Sequence, residues 1–417
     1  MVSRLVFCLA LLPGVAFSSL ALAEDDGILQ IVVSKAQQSL AVYRDGAEIA
    51  TTRVSTGKAG HSTPTGVFSI LEKRKYHESN LYSSAPMPFM QRLTWSGIAL
   101  HEGRVPNYPA SHGCIRLPAK FARELYGMTA RGVHVVVSEA PVIPVRISHG
   151  NLFKPRPAQP DMLLLTDTPL RSTRPLPGER AVEVAMNETT ALPQTSVTVP
   201  REPAEPIRIL ITRRGDRERI LDMQALLNQL GFDTGVPDGH AGQATMRAIA
   251  EFRLAHDLPA SKVVLEPTFL QALYGAAGKT GFPNGQLFVR QNFKPLFEGP
   301  VSIREPEKEL GTHFFIATEA DAQTGSADWT AMTLENRLPD ATMKRLGIIQ
   351  RADTTDTEAA DHTLDRIDIP TNLRERIESL LGKGSSITIT DNGISPETGL
   401  GTDFITLTKP DAAGRKS

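Results

Sequence analysis

The sequence predicts a multidomain α+β protein, and three observations carry that reading. Residues 28–72 and 132–138 hold short β-branched runs punctuated by turn signals, the pattern of a β-rich unit. Residues 206–278 space apolar side chains at i, i+3 and i+4, the period of a small helical unit. Residues 285–408 mix both patterns, and a Pro-rich stretch at 141–205 has neither. A chain of 417 residues has room for roughly two to four such domains.

The elements follow in chain order. Residues 1–23 read as a secretory signal: Arg4 supplies the charge, Leu5 to Phe17 the apolar core, and Ala21-Leu22-Ala23 the cleavage site. Ile28 to Val33 and Leu40 to Tyr43 are strands, Asp45-Gly46 is a hairpin turn, and Ile49 to Val54 returns. Val67 to Leu71 is a further strand. Residues 73–95, with Met87-Pro88-Phe89-Met90 and Trp95, form either a groove wall or lid, or a surface loop with an apolar tuck. Gly97 to Leu100 is a strand that delivers His101. Pro118 opens a helix with Phe121 and Leu125 at i, i+4, running to Tyr126 and stopping at Gly127. Gly132 to Ser138 closes the sheet.

The repeated prolines of 141–205 make an extended linker. In 206–278, Ile220, Met223, Leu227 and Leu230 share a helical face closed by Gly231. Ala248, Ile249 and Phe252 give a second helix, and Pro267 opens a third carrying Phe269, Leu270 and Leu273. The tail 409–417 is polar and expected to be disordered.

Composition excludes several classes. A formal net charge of −1 gives no electrostatic footprint for nucleic acid or anionic lipid. Beyond the signal no apolar run reaches the ~18 residues a bilayer span needs, so no transmembrane segment is expected after cleavage.

The chemistry concentrates at Ser111-His112-Gly113-Cys114-Ile115-Arg116. The chain has two cysteines, and cleavage after Ala23 removes Cys8. Exported proteins usually pair their cysteines, so a lone Cys114 is either an inert core residue or a reactive thiol. Its neighbours favour reactivity. Gly113 lets a substrate backbone approach closely. His101 and His112 offer imidazoles to take the proton of a thiol whose free pKa is near ~8.5. The expected helix at Pro118 points its N-terminus near the sulfur, which modestly favours a thiolate. Arg116 is suited to a substrate carboxylate, or else to a structural ion pair. His112 can equally hydrogen-bond backbone in a turn. His101, His112 and Cys114 are zinc-ligand types, but they contain no compact ligand pair and lack a fourth member, so no metal and no cofactor are expected. His61 and His77 sit in polar loops and are read as solvated.

At these residues the sequence resembles the L,D-transpeptidase family with the YkuD-type catalytic domain. The early His101, the run Ser111 to Arg116, and the upstream Val54-Ser55-Thr56-Gly57-Lys58 and Thr63-Pro64-Thr65-Gly66-Val67-Phe68 carry the resemblance, over roughly residues 28–140. The Asn often found after the Arg is replaced by Leu117-Pro118-Ala119. The resemblance implies a β-rich catalytic fold and an exported enzyme of the periplasm or cell envelope. By it, Cys114 attacks the peptide bond after the third residue of a peptidoglycan stem tetrapeptide and forms a thioester. An amine of a second stem peptide, or a lysine of a wall-anchored protein, resolves it. His101 is then base and acid, and His112 shapes the pocket. The Gly113 and Cys114 N–H groups are oxyanion donors, and Ser111 and Arg116 bind substrate. Two alternatives stay open: a hydrolase, carboxypeptidase or endopeptidase, in which water replaces the amine, and a non-catalytic wall-binding protein.

Leu226 to Asp233, Pro237-Asp238-Gly239, Gly242, Thr245 and Phe252 resemble the small peptidoglycan-binding module of wall enzymes. Residues 285–408 fall into step with the catalytic unit and are read as a decayed copy of it. In that alignment 287–290 lies along 40–43, 311–315 along 65–68, 328–335 along 94–101, and 366–370 along 114–118. Glu335 then stands at the base position and Arg366 at the nucleophile position. Residues 336–365 are an acidic, Thr-containing insertion expected to be flexible.

Overall fold

The computed structural model describes residues 27–79, 85–156, 205–279, 281–353, 356–399 and 401–408. The signal at 1–23 and the tail at 409–417 lie outside the described residues.

The described residues open with a meander, β1 (Leu29–Ser34), β2 (Ser39–Arg44) and β3 (Ala47–Arg53), paired antiparallel. Asp45 and Gly46 turn it at φ +47° and +82°, the left-handed pair that a two-residue hairpin requires. β4 (Gly66–Ser69) follows. Then β5 (Glu72–Arg74), β6 (Met90–Arg92), β7 (Ala99–Glu102) and β8 (Ile115–Leu117) make a separate four-stranded sheet in that order. α1 (Ala119–Met128) buries Ala122 and Leu125, and β9 (His134–Ser138) returns between β4 and β1. α1 opens after Pro118 as expected but passes through Gly127 to Met128. Nothing at Gly127 forces a left-handed stop, and the extended Thr129 ends the helix instead.

The core of this unit lies between the larger sheet and the smaller one with α1. Ile31, Val33, Leu40, Val42, Phe68, Leu100, Ile115, Leu125, Val135 and Val137 meet there.

A second sheet follows. β10 (Val145–Ile147) pairs with a strand far downstream. β11 (Ile207–Arg213) precedes three helices, α2 (Asp216–Gln229), α3 (Gln243–Ala255) and α4 (Pro267–Ala276). Met223, Leu227, Ile249, Phe252, Phe269 and Leu273 form the core of those helices. The sheet then resumes with β12 (Gly285–Gln291), β13 (Lys294–Ile303), β14 (Thr312–Asp321) and β15 (Ser326–Leu334). After α5 (Asp340–Leu346) and α6 (Ala359–Asp365) come β16 (Ile367–Asp368), α7 (Thr371–Glu378) and β17 (Ser386–Thr390). The last strand, β18 (Thr406–Leu407), leaves this sheet and pairs with β4 of the first.

The two sheets share a connectivity. The first reads β4-β9-β1-β2-β3 and the second β14-β17-β11-β12-β13. In each the return strand runs parallel to the opening strand and antiparallel to its other neighbour. Pro370 precedes α7 as Pro118 precedes α1.

Several expected boundaries move. The stretch 141–205 is not linker throughout: β10 pairs with β15, and Leu152 and Phe153 are buried in the second core. A three-residue strand is too short to show a period. Residues 157–204 lie outside the described residues. The unit 206–278 begins with β11, which belongs to the second sheet, so the helices are inserted between two paired strands. The proposed match of 328–335 with 94–101 fails, because β15 is the hairpin partner of β14 whereas β7 lies in the smaller sheet. The region 336–365, expected to be flexible, holds α5 and α6, with Leu338, Met343 and Ile348 clustered.

The sheets meet face to face. Val32, Tyr43, Val67 and Val136 pack against Phe314, Ile316, Met332 and Leu334. β9 is therefore buried at every position, without the alternation of a half-exposed strand.

Candidate active site

β7 and β8 run parallel, with Leu100 opposite Ile115 and His101 opposite Arg116. Side chains alternate along a strand, so Ala99 and His101 share a face with Cys114 and Arg116. That face opens on a cavity of about 280 Å³, whose walls include His101, Cys114, Arg116, Ser111 and His112.

The loop before β8 is held from three sides. Gly113 sits at φ +115°, where only glycine is unstrained. The Thr63 hydroxyl donates to the Gly113 carbonyl at 2.7 Å and accepts the Gly57 N–H at 2.8 Å. Ser55 and Arg116 exchange backbone hydrogen bonds at 3.0 and 3.1 Å. The upstream motif pieces thus serve as the frame of the cysteine loop. Ser111, expected at the substrate, is buried; its hydroxyl donates to the Cys114 carbonyl at 2.5 Å and accepts the Gly113 N–H at 3.2 Å. Its hydroxyl is spent inside the loop, while its backbone bridges to Thr56 and Lys58 and the residue borders the cavity. The Gly113 N–H, expected at an oxyanion, is engaged by that hydroxyl.

Cys114 packs beside Met87, Met90 and Ala99, and its Sγ–H donates to the Gly97 carbonyl at 3.4 Å. Burial pushes its pKa up, while the Ala99 N–H and the charges of Arg116 and Arg92 oppose the rise. His101 is 7% exposed, and its Nδ1–H donates to the Glu102 carbonyl at 2.7 Å, which leaves Nε2 as the basic atom. Burial first, then the charges of Arg116 and His77, lower its pKa to about 4; the Glu102 carbonyl opposes them. At neutral pH the site therefore rests as a neutral thiol and a neutral imidazole.

His112 is exposed at the cavity rim, with its ring edge-on to His61 at 4.8 Å. Partial desolvation and the charges of Lys58, His61 and Arg116 lower its pKa. The expected help from a helix N-terminus is weak, because β8 separates Cys114 from α1 and three extended residues span roughly 10 Å. Among the described residues no group of three or more His, Cys, Asp or Glu side chains could hold a metal ion.

Sequence reasoning missed part of the wall. His77, read as solvated, is half-buried in the cavity wall, with Arg92, Gly97 and Arg104. Met87 and Met90 also line it, so the described residues on either side of 80–84 form part of a groove wall.

Residues 29–137 match the family model of the L,D-transpeptidase catalytic domain, YkuD. Residues 216–269 match that of a peptidoglycan binding domain. The chain carries a YkuD catalytic domain. Solved structures similar to it include an L,D-transpeptidase from Stackebrandtia nassauensis, 32% identical over 27% of this chain and 56% of that one, TM-score 0.25. One from Mycobacterium tuberculosis is 25% identical over 27% and 58%, TM-score 0.26. One from Mycobacterium smegmatis is 23% identical over 27% and 59%, TM-score 0.26. The chain spans less than two thirds of the length of each. No curated protein matches it. The YkuD domain ends near β9, and among the described residues no helix is long and apolar enough to cross a membrane.

Proposed function

We propose that the protein is an exported cysteine acyltransferase of the cell envelope that acts on peptidoglycan stem tetrapeptides. The observation that carries this reading is the shared strand face that turns Cys114 and His101 into one cavity. In the reaction, His101 Nε2 takes the Sγ proton as the sulfur attacks the carbonyl carbon. The Cys114 N–H is the remaining loop donor for the oxyanion. The C–N bond then breaks, His101 returns the proton to the leaving amine of D-Ala, and a thioester remains. An acceptor amine attacks it, His101 takes that amine's proton, the C–S bond breaks, and His101 returns the proton to the leaving sulfur. Arg92, Arg104 and Arg116 in the wall suit the carboxylates of the stem peptide. Ser111 acts as a brace of the loop, and His112 shapes the rim.

The inserted helices would hold the glycan polymer and raise the local concentration of substrate. The second domain is read as a degenerate copy of the catalytic fold without chemistry. Its shared strand order supports this, as does Arg366, which stands just before β16 as Cys114 stands before β8.

Incubating the mature protein with tetrapeptide muropeptides tests the reading. Crosslinked dimer is the expected product and disappears in Cys114→Ala. Tripeptide without dimer would make the protein a hydrolase of the same peptides. Product formation that survives Cys114→Ala would remove the thiol from the mechanism.

A further inference from the structure

The segment after β17 crosses from the second domain to the catalytic one and is fastened at several points. At its start the Asp391 carboxylate accepts Arg213 Nε–H at 2.6 Å and the Leu310 and Gly311 N–H groups at 2.8 and 3.0 Å. Farther on, the Arg290 guanidinium holds the Gly399 and Thr402 carbonyls at 2.6 and 3.1 Å. Ile405 is buried in the catalytic core, β18 pairs with β4, and the Thr408 N–H donates to the Thr65 carbonyl at 3.0 Å. A Cβ on Gly66 would lie 1.9 Å from the Thr406 carbonyl oxygen, so this strand docks only against glycine.

Between those fastenings the segment touches the active-site loop. Glu397 Oε2 accepts the N–H groups of Trp95 and Ser96 at 2.9 and 3.2 Å. Those two residues form the turn between β6 and β7. Its next residue, Gly97, at φ +108°, presents the carbonyl that receives the Cys114 thiol. Trp95 also lies 5.6 Å from the Arg92 guanidinium, whose charge acts on the same thiol. A carboxylate on two successive N–H groups makes a charge-assisted clamp on the turn.

We propose that Glu397 is a positioning residue for the nucleophile: it fixes the Trp95–Gly97 turn, and through Gly97 it fixes the Cys114 sulfur. The second domain thereby completes the catalytic one with both a strand and a clamp. The inference rests on Cys114 as the nucleophile.

The test uses the full mature chain with Glu397→Ala, Glu397→Asp and Glu397→Gln. Two readouts are taken: the alkylation rate of Cys114 by iodoacetamide across pH, and kcat and KM on tetrapeptide muropeptides. Glu397→Ala is expected to change the alkylation rate about three- to tenfold and to lower kcat by a similar factor, with KM within about twofold. Glu397→Asp is too short to reach both N–H groups and gives a smaller change of the same sign. Glu397→Gln keeps the acceptor oxygen and stays within about twofold of wild type. Wild-type alkylation and turnover in Glu397→Ala overturn the proposal; if that variant does not fold, unchanged values in Glu397→Asp do so. If no peptide is turned over even by wild type while the alkylation rate still shifts, the proposed reaction fails and the positioning role stands.

Discussion

The two domains place unlike chemistry on like strands. In the first, the residue before β8 is Cys114, a thiol facing a cavity of about 280 Å³ beside a buried imidazole. In the second, the residue before β16 is Arg366, at the wall of a cavity of about 380 Å³. Its guanidinium donates to the carbonyls of Arg304, Glu305, Lys308 and Glu309 at 2.8–3.1 Å, so its hydrogen-bonding capacity is turned inward. The nearby His313 is buried, with Nδ1 on Thr333 and Nε2 on the Leu310 carbonyl. The difference teaches that the fold supplies a cavity at this place and no reaction. Activity requires a nucleophile whose reactive atom still faces the cavity, with a base whose free nitrogen faces it too.

The largest expected effects test that contrast. Cys114→Ala should abolish the thioester adduct, read by mass spectrometry of the enzyme with substrate. Arg366→Ala should leave kcat/KM within about twofold yet lower unfolding free energy by roughly 1–3 kcal/mol, as carbonyls of the 304–309 loop lose their partner. A loss of activity without a loss of stability in Arg366→Ala would give the second cavity a role in the reaction. His101→Ala should slow acylation about 10²- to 10⁴-fold, the usual contribution of a general base. Undiminished acylation there would move the base to His112.

How much of this was legible depended on distance along the chain. The cysteine loop was readable because His112, Gly113 and Cys114 are adjacent and the residues around Thr63 recur in order. α1 was readable from Pro118 and the Phe121–Leu125 spacing. β11 was hidden because a strand abutting a helix blurs both periods. His77 joins the cavity only through the course of the chain around it, and Glu397 meets Trp95 from 302 positions away. The covered face of the first sheet was equally silent: Val32, Val67 and Val136 read as strand residues whichever side they face.

That face gives the next test. Phe314→Ala removes an aromatic side chain that belongs to the second sheet but packs on the first, and should cost about 3–5 kcal/mol in denaturant unfolding. Because the interface and β18 join the sheets, both should unfold in one transition at a lower midpoint. Two separated transitions would show that the domains stand alone and that their contact contributes little.

The last effect concerns protons, and it treats the two domains alike before it separates them. His101 and His313 each have a pKa lowered to about 4, chiefly by burial, from the usual 6.5 of an imidazole. The folded state holds both rings neutral where the unfolded chain would bind a proton. Their contribution to stability is therefore complete above about pH 6.5 and is lost as pH falls through 4, with a slope of at most roughly 1.4 kcal/mol per pH unit for each ring. Equilibrium unfolding at pH 7, 5.5 and 4.5 should show that decline, and replacing either ring with Gln should flatten it by a similar amount. The thiol then tells the domains apart. Since Cys114 and His101 rest neutral, the thiolate fraction grows about tenfold per pH unit, and alkylation of Cys114 should rise steadily from pH 5 to 8. A preformed thiolate–imidazolium pair would instead hold the rate flat across that range, and such a plateau would mean that His101 carries a proton in the resting enzyme rather than accepting one during attack.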